Sequence, residues 1–123
     1  MVVNNQMDKN EPFLNLKERK CVPCEGNKSA LLNSARIAPL HEELNKWNII
    51  DDKRLEKVLQ FKDFASALAF VNSVGKIAET EGHHPDINIF SWNKVKLILF
   101  THSIDGLSEN DFILAAKIDE LAR

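Results

Sequence analysis

The sequence carries no strong excess of one charge: sixteen Lys and Arg face eighteen Asp and Glu, for a net charge of -2. Without a basic surplus there is no global attraction to nucleic acid or to an anionic membrane. Long apolar runs are also missing. The stretch from Val95 to Phe100, broken by Lys96, is far shorter than the ~20 apolar residues a membrane-spanning helix needs. The first residues, MVVNNQMDKNEPFLN, contain no apolar core of a secretory signal, so a cytoplasmic protein is expected. Cysteine is scarce, with two residues in a single C-x-x-C, Cys21 and Cys24. A structural zinc site wants four ligands, usually a second such pair or two spaced histidines. His41 is the next histidine and has no spaced partner. No strand pattern precedes the pair, which a thioredoxin-type site would require. The plain reading is a polar turn, and two reduced thiols suit a reducing compartment.

What is present fits one domain with one core: 123 residues, 44% of them hydrophobic and 28% charged. Residues 1–20 are polar and without period, and are expected to form a flexible tail ahead of a single domain over 21–123. Residues 21–38 read as an irregular lead-in. Pro39 is placed to start a short helix with Leu40, Leu44 and Trp47 on one side. Trp47 to Ile50 and Arg54 to Phe61 read as strands around Asp51-Asp52-Lys53.

Asp63 then caps the best helix of the chain. Phe64, Leu68, Val71, Gly75 and Ala78 recur at helical spacing, and Ala67, Phe70, Val74 and Ile77 widen the stripe. Gly82 supplies the residue best able to end it. Ile87 to Phe90 and Val95 to Thr101 form a second hairpin pattern. Along its second strand Val95, Leu97, Leu99 and Thr101 share one face, and Lys96, Ile98, Phe100 and His102 the other. Ser108 and Asp111 have capping-box spacing before a helix carrying Leu114, Ile118 and Leu121. The expected fold is α+β, with three helices packed on one face of a four-stranded antiparallel sheet. Ile98 and Phe100 on the opposite face suggest a ligand pocket or a subunit contact.

Three of the four histidines, His83, His84 and His102, fall within twenty residues, and the expected elements bring them to one end of the sheet. Glu79 and Asp111 add carboxylates nearby. Each has a simpler explanation: a surface histidine, a helix charge at Glu79, a cap at Asp111, a helix stop at Pro85. Three histidines could also hold zinc with a water. Adjacent side chains on an extended backbone diverge, which makes His83 and His84 awkward ligands for one ion.

The string Glu79-x-x-x-His83-His84-Pro85, then Trp92-Asn93-Lys94-Val95, Thr101-His102 and Gly106-Leu107-Ser108-x-x-Asp111, closely resembles the pterin-4a-carbinolamine dehydratase family. That family is also known as the dimerization cofactor of a hepatocyte transcription factor. The similarity runs over roughly residues 40–121, and the Cys-Val-Pro-Cys-Glu-Gly lead-in looks like that of many microbial and plant members. Asp86 stands where some members have Glu, and Ile87-Asn88 lacks an aromatic found in others.

The resemblance implies dehydration of a 4a-hydroxy-tetrahydropterin without metal or organic cofactor. Such a step needs one proton delivered to the departing hydroxyl and one removed from the nitrogen at position 5. Imidazole, with an unperturbed pKa of ~6.5, suits both. The implied roles are proton transfer by His83 and His102, and pterin binding by His84. Asp111 is expected to orient His102, and Glu79 to meet the pterin edge or a histidine. Pro85 belongs to the binding segment, and Trp92 either flanks the ring or packs in the hairpin. The resemblance further implies a homodimer or homotetramer and a functional link to an aromatic amino acid hydroxylase. The competing class is a binding protein that dimerises or stabilises a partner.

Overall fold

The computed structural model describes residues 15–22 and 28–122. Its elements run α1 (Ser34–His41), β1 (Asn48–Ile50), β2 (Arg54–Gln60), α2 (Phe64–Glu81), β3 (Asp86–Phe90), β4 (Lys94–Leu99) and α3 (Glu109–Leu121). Short 3-10 turns occupy Leu16–Glu18, Lys28–Ala30 and His102–Ile104. The strands form one antiparallel sheet in the order β1-β2-β4-β3. This is the expected α+β architecture. Among the described residues, no helix is long and apolar enough to cross a membrane.

Alternation along β4 sets the layers. Val95, Leu97 and Leu99 are fully buried against the helices, while Lys96, Ile98 and Phe100 lie half-buried on the other face. α2 begins as its sequence dictates: Asp63 Oδ1 accepts from the Ser66 N–H at 2.8 Å. That bond holds the Asp63 carboxyl below the usual carboxylate range. The helix ends at Gly82, whose φ of 69° is left-handed, and whose N–H donates to the Ala78 carbonyl at 2.9 Å.

Several boundaries depart from expectation. α1 starts at Ser34 rather than Pro39, because the Asn33 side chain accepts from the Arg36 N–H and caps it earlier. Pro39 lies inside the helix. The buried seam of α2 is Ala67, Phe70, Val74 and Ala78, whereas Phe64 and Leu68, placed on the main stripe by spacing, are exposed. A wide apolar stripe fixes the helix but not which edge of it meets the core. Within the stretch expected to be a flexible tail, residues 15–20 are held in place. Leu16 is buried in the core, and Lys117 Nζ donates to the Lys17 carbonyl at 2.8 Å. Residues 1–14 lie outside the described residues, as does Cys24.

The two hairpin turns place non-glycine residues at positive φ: Asp51 and Asp52 in one, Ser91 and Trp92 in the other. Aspartate tolerates this region, but a tryptophan there is strained. Asn93 holds the second turn by donating its side-chain N–H to the Phe61 carbonyl at 2.8 Å, while its own carbonyl accepts from the Phe61 N–H.

Candidate active site

Three chain segments converge at one end of the sheet. The α2 cap leads directly into His83, whose own N–H donates to the Ala78 carbonyl at 3.2 Å. Pro85 keeps the preceding His84 out of helix, and Asp86 opens β3. Opposite, β4 runs out at Leu99, and the chain turns through His102–Ile104, with Asp105 left-handed at φ 51°. A bridge between Thr101 and Gly106 closes that loop. Gly106 lies close under Leu31, and a Cβ there would fall 2.5 Å from Leu31 Cδ1 and require that side chain to shift.

Between these segments lies a cleft of about 580 Å³, within the usual size of small-ligand sites. It is lined by Cys21, Val22, Glu81 to Asp86, and Phe100 to Ser103. His83, His84 and His102 therefore share one cleft, as their spacing suggested, together with Pro85. His102 stacks on Phe100 with ring centroids 4.0 Å apart, and the Arg54 guanidinium sits 5.2 Å over the same Phe100 ring.

The electrostatic centre is Asp111, at 0% exposure beneath the cleft. The Nε2–H of His83 donates to its Oδ1 at 2.6 Å. Its Oδ2 accepts from the Thr101 hydroxyl at 2.8 Å and from the Ser108 N–H at 3.0 Å. Ser108 Oγ lies 2.8 Å from Thr101 Oγ1 and accepts from the Asp111 N–H in the capping box. A closed ring of donors thus converges on the carboxylate at a helix N-terminus. It fixes the tautomer of His83, leaving Nδ1 with the lone pair of a neutral ring.

Asp111 was expected to orient His102; it orients His83 instead. The start of α3 packs beneath the end of α2, while His102 turns outward onto Phe100 and is exposed. Glu79 meets a histidine, accepting from His84 Nε2 at 3.0 Å, with both side chains largely in solvent. Trp92 does not line the cleft. The register pairs Asp86 with Ile98 and Phe90 with Lys94, so the Trp92 turn lies at the far end of β3 from Asp86, and its ring is 61% exposed. His41 is structural, donating Nε2–H to the Trp47 carbonyl at 2.6 Å.

Sequence reasoning missed the lead-in as part of the site. The Cys21 N–H donates to Glu81 Oε1 at 2.8 Å. Burial first, and then the Glu81 carboxylate, push the Cys21 thiol up to about 12, so it meets the cleft as a neutral thiol. Burial alone would raise the Glu81 carboxyl. The Cys21 N–H and the Lys117 and Lys20 charges outweigh it and hold the group below the usual range. Among the described residues, no three His, Cys, Asp or Glu side chains are grouped as metal ligands.

A second depression, of about 620 Å³, lies where Glu43 and Asn45 meet Asp119 and Glu120 of α3. Its chemistry is poorer. It has no imidazole, and Asp119 is already bound by Lys57 Nζ at 2.7 Å, the Trp47 indole N–H at 2.9 Å and the Asn45 N–H at 2.9 Å. The histidine cleft is the candidate active site.

The comparisons with known proteins point the same way. The sequence profile of the pterin 4 alpha carbinolamine dehydratase family matches residues 30–121. A relative from Alkaliphilus metalliredigens named for that enzyme is 50% identical over 109 residues, covering 86% of this chain and 95% of its own. Pterin-4-alpha-carbinolamine dehydratase 2, mitochondrial, of Arabidopsis thaliana is 41% identical over 109 residues, or 86% of this chain and 58% of the plant protein. Among solved structures, a transcriptional coactivator/pterin dehydratase from Brucella melitensis superposes with a TM-score of 0.70 at 29% identity, covering 76% of this chain and 99% of the other. A pterin dehydratase-like protein described as a RuBisCO assembly factor in the alpha-carboxysome superposes at 0.54 with 27% identity, covering 65% and 93%. The chain belongs to the pterin-4a-carbinolamine dehydratase family.

Proposed function

We propose that this protein is a 4a-hydroxy-tetrahydropterin dehydratase, a hydro-lyase working by histidine acid–base catalysis. The observation that carries the reading is the gathering of His83, His84 and His102 in one cleft, with one of them bound to a buried carboxylate. In the reaction the bond from carbon 4a to its hydroxyl breaks, and a delivered proton lets the hydroxyl leave as water. The proton on nitrogen 5 is removed, and a double bond forms between carbon 4a and nitrogen 5, giving the quinonoid dihydropterin. One proton is given and one taken, so the net charge of the enzyme is unchanged, and proton exchange with water then returns each histidine to its starting state.

His83 suits the accepting role, because Asp111 stabilises the imidazolium formed when Nδ1 takes the proton. His102, exposed at the cleft and without a carboxylate partner in the Asp111 network, suits delivery to the hydroxyl. His84 and Glu79 form a hydrogen-bonding pair at the rim for the polar edge of the pterin. Phe100, stacked with His102, offers an apolar wall. No metal or organic cofactor enters this scheme. The same reading places the protein in the cytoplasm, as a homodimer or homotetramer that recycles the pterin of an aromatic amino acid hydroxylase.

The test is stopped-flow absorbance of 4a-hydroxy-tetrahydropterin decay with and without the protein. Acceleration by the wild type that falls at least about tenfold in His102→Ala, in a variant that stays folded, is the expected result. No acceleration by the folded wild type overturns it. A second reading, a non-catalytic binding protein for a partner, is favoured by the assembly-factor role of the carboxysome neighbour. That outcome is expected if turnover is absent while the chain captures a partner protein.

A further inference from the structure

Val22 is a valine whose side chain is largely in solvent, yet its backbone is unusually well held. Its N–H donates to Asn110 Oδ1 at 2.9 Å, and its carbonyl accepts from Asn110 Nδ2 at 2.5 Å. One amide side chain thus grips both polar groups of one peptide residue, as a neighbouring strand would. Asn110 itself is 5% exposed and stands on α3 next to Asp111. The residue before, Cys21, is fastened by its N–H to Glu81 and by its thiol to the Asn110 carbonyl at 3.6 Å. Glu81 in turn lies 3.6 Å from Lys117 Nζ.

These contacts join residues 60 to 89 positions apart in sequence. They are more than a surface segment needs if it only covers the core. Their effect is to lay Cys21 and Val22 along the cleft that Phe100 to Ser103 also line. An apolar side chain fixed at the rim and exposed to solvent is placed to be covered by a ligand.

Resting on the pterin reading above, we propose that the Cys21–Val22 strap is a wall of the ligand site, with Val22 contacting the bound pterin. Asn110 and Glu81 are then positioning residues that act on substrate binding and not on proton transfer. The strap contributes affinity through apolar contact, while His83, His102 and Asp111 contribute rate. Loss of the strap therefore raises KM and leaves kcat near its wild-type value.

The test is a KM and kcat comparison of Val22→Ala and Asn110→Ala, with Lys17→Ala as a control from the same segment outside the cleft. Binding of a non-reacting pterin, 7,8-dihydrobiopterin, is measured in parallel by fluorescence titration. Val22→Ala should weaken binding and raise KM by about three- to tenfold, the worth of two lost methyl contacts. Asn110→Ala should do so by about five- to thirtyfold, while Lys17→Ala matches the wild type. Val22→Ala alters only an exposed side chain, so its result stands even if Asn110→Ala unfolds. Unchanged binding and KM in Val22→Ala, with a wild type that binds and turns over, overturns the strap alone. A wild type that neither binds nor turns over pterin overturns the substrate reading and the strap with it.

Discussion

Helix α3 carries two buried aspartates, Asp111 in its first turn and Asp119 near its end, and they do different work. Each accepts several hydrogen bonds. Asp119 takes them from Lys57, from the Trp47 indole and from the Asn45 backbone, donors that lie away from the histidine cleft. Its network ties β2 and the approach to β1 onto the helix. Asp111 takes them from a hydroxyl, a backbone N–H and the imidazole of His83, which lines the cleft. A buried carboxylate can act on a ligand when one of its partners is an imidazole that lines a cleft. Otherwise it is a tie between elements.

Substitutions sharpen this contrast. The largest effect is expected for His83→Ala, which should lower kcat by about 10²- to 10⁴-fold in stopped-flow turnover of the folded protein, with some fall in Tm because the buried Asp111 loses a donor. A loss below tenfold would move proton transfer elsewhere in the cleft. Asp119→Ala should do the reverse. It leaves Lys57 buried without its partner and should cost about 3–5 kcal/mol in urea unfolding, while the folded fraction keeps its turnover. A matching fall in kcat would erase the distinction between the two aspartates. Asp111→Asn keeps the shape of the ring of donors but removes the charge that stabilises a His83 imidazolium. Turnover should fall by at least about tenfold and by up to about 10⁴-fold, the loss found when Asn replaces the Asp behind the histidine of a serine protease triad.

A smaller effect concerns Glu81, a third covered carboxylate, whose pKa is lowered in the folded state. A depressed carboxylate contributes stability that is present above its unfolded pKa and lost as pH falls through the folded value. The wild type should therefore lose this contribution as pH falls below about 4.5, the ordinary value for the group. Glu81→Gln should show a flatter stability profile in that range, read by urea unfolding at a series of pH values. Parallel profiles for both chains would show that Glu81 gains nothing from Lys117 and the Cys21 N–H.

The outer frame was legible because its signals are local. Asp63 and Gly82 bound α2 through bonds made within a turn, and alternation from Val95 to Leu99 fixes which side of β4 is buried. The capping box of Ser108 and Asp111 formed as its spacing required. The site was legible as a cluster but not as a set of pairs. His83 and His102 both lie within reach of the start of α3 in any arrangement of these elements. Only the packing of α2 against α3 assigns Asp111 to His83. Trp92 illustrates the same limit: an aromatic in a hairpin carries no signal of which end of the sheet will hold a ligand. The strap was illegible because Val22 and Asn110 are 88 positions apart and neither residue type announces a partner.

The sequence by itself determined the element order, the caps of α2 and α3, the inward face of β4, and the family. Each of these is written in neighbouring residues, where spacing equals geometry. Tertiary structure alone decided that Asp111 serves His83, that the Lys57–Asp119 pair is buried, that Phe64 and Leu68 face solvent, and that Cys21 and Val22 wall the cleft. Those outcomes depend on how whole elements rotate and pack, and the free energy that settles them is shared among residues far apart in the chain.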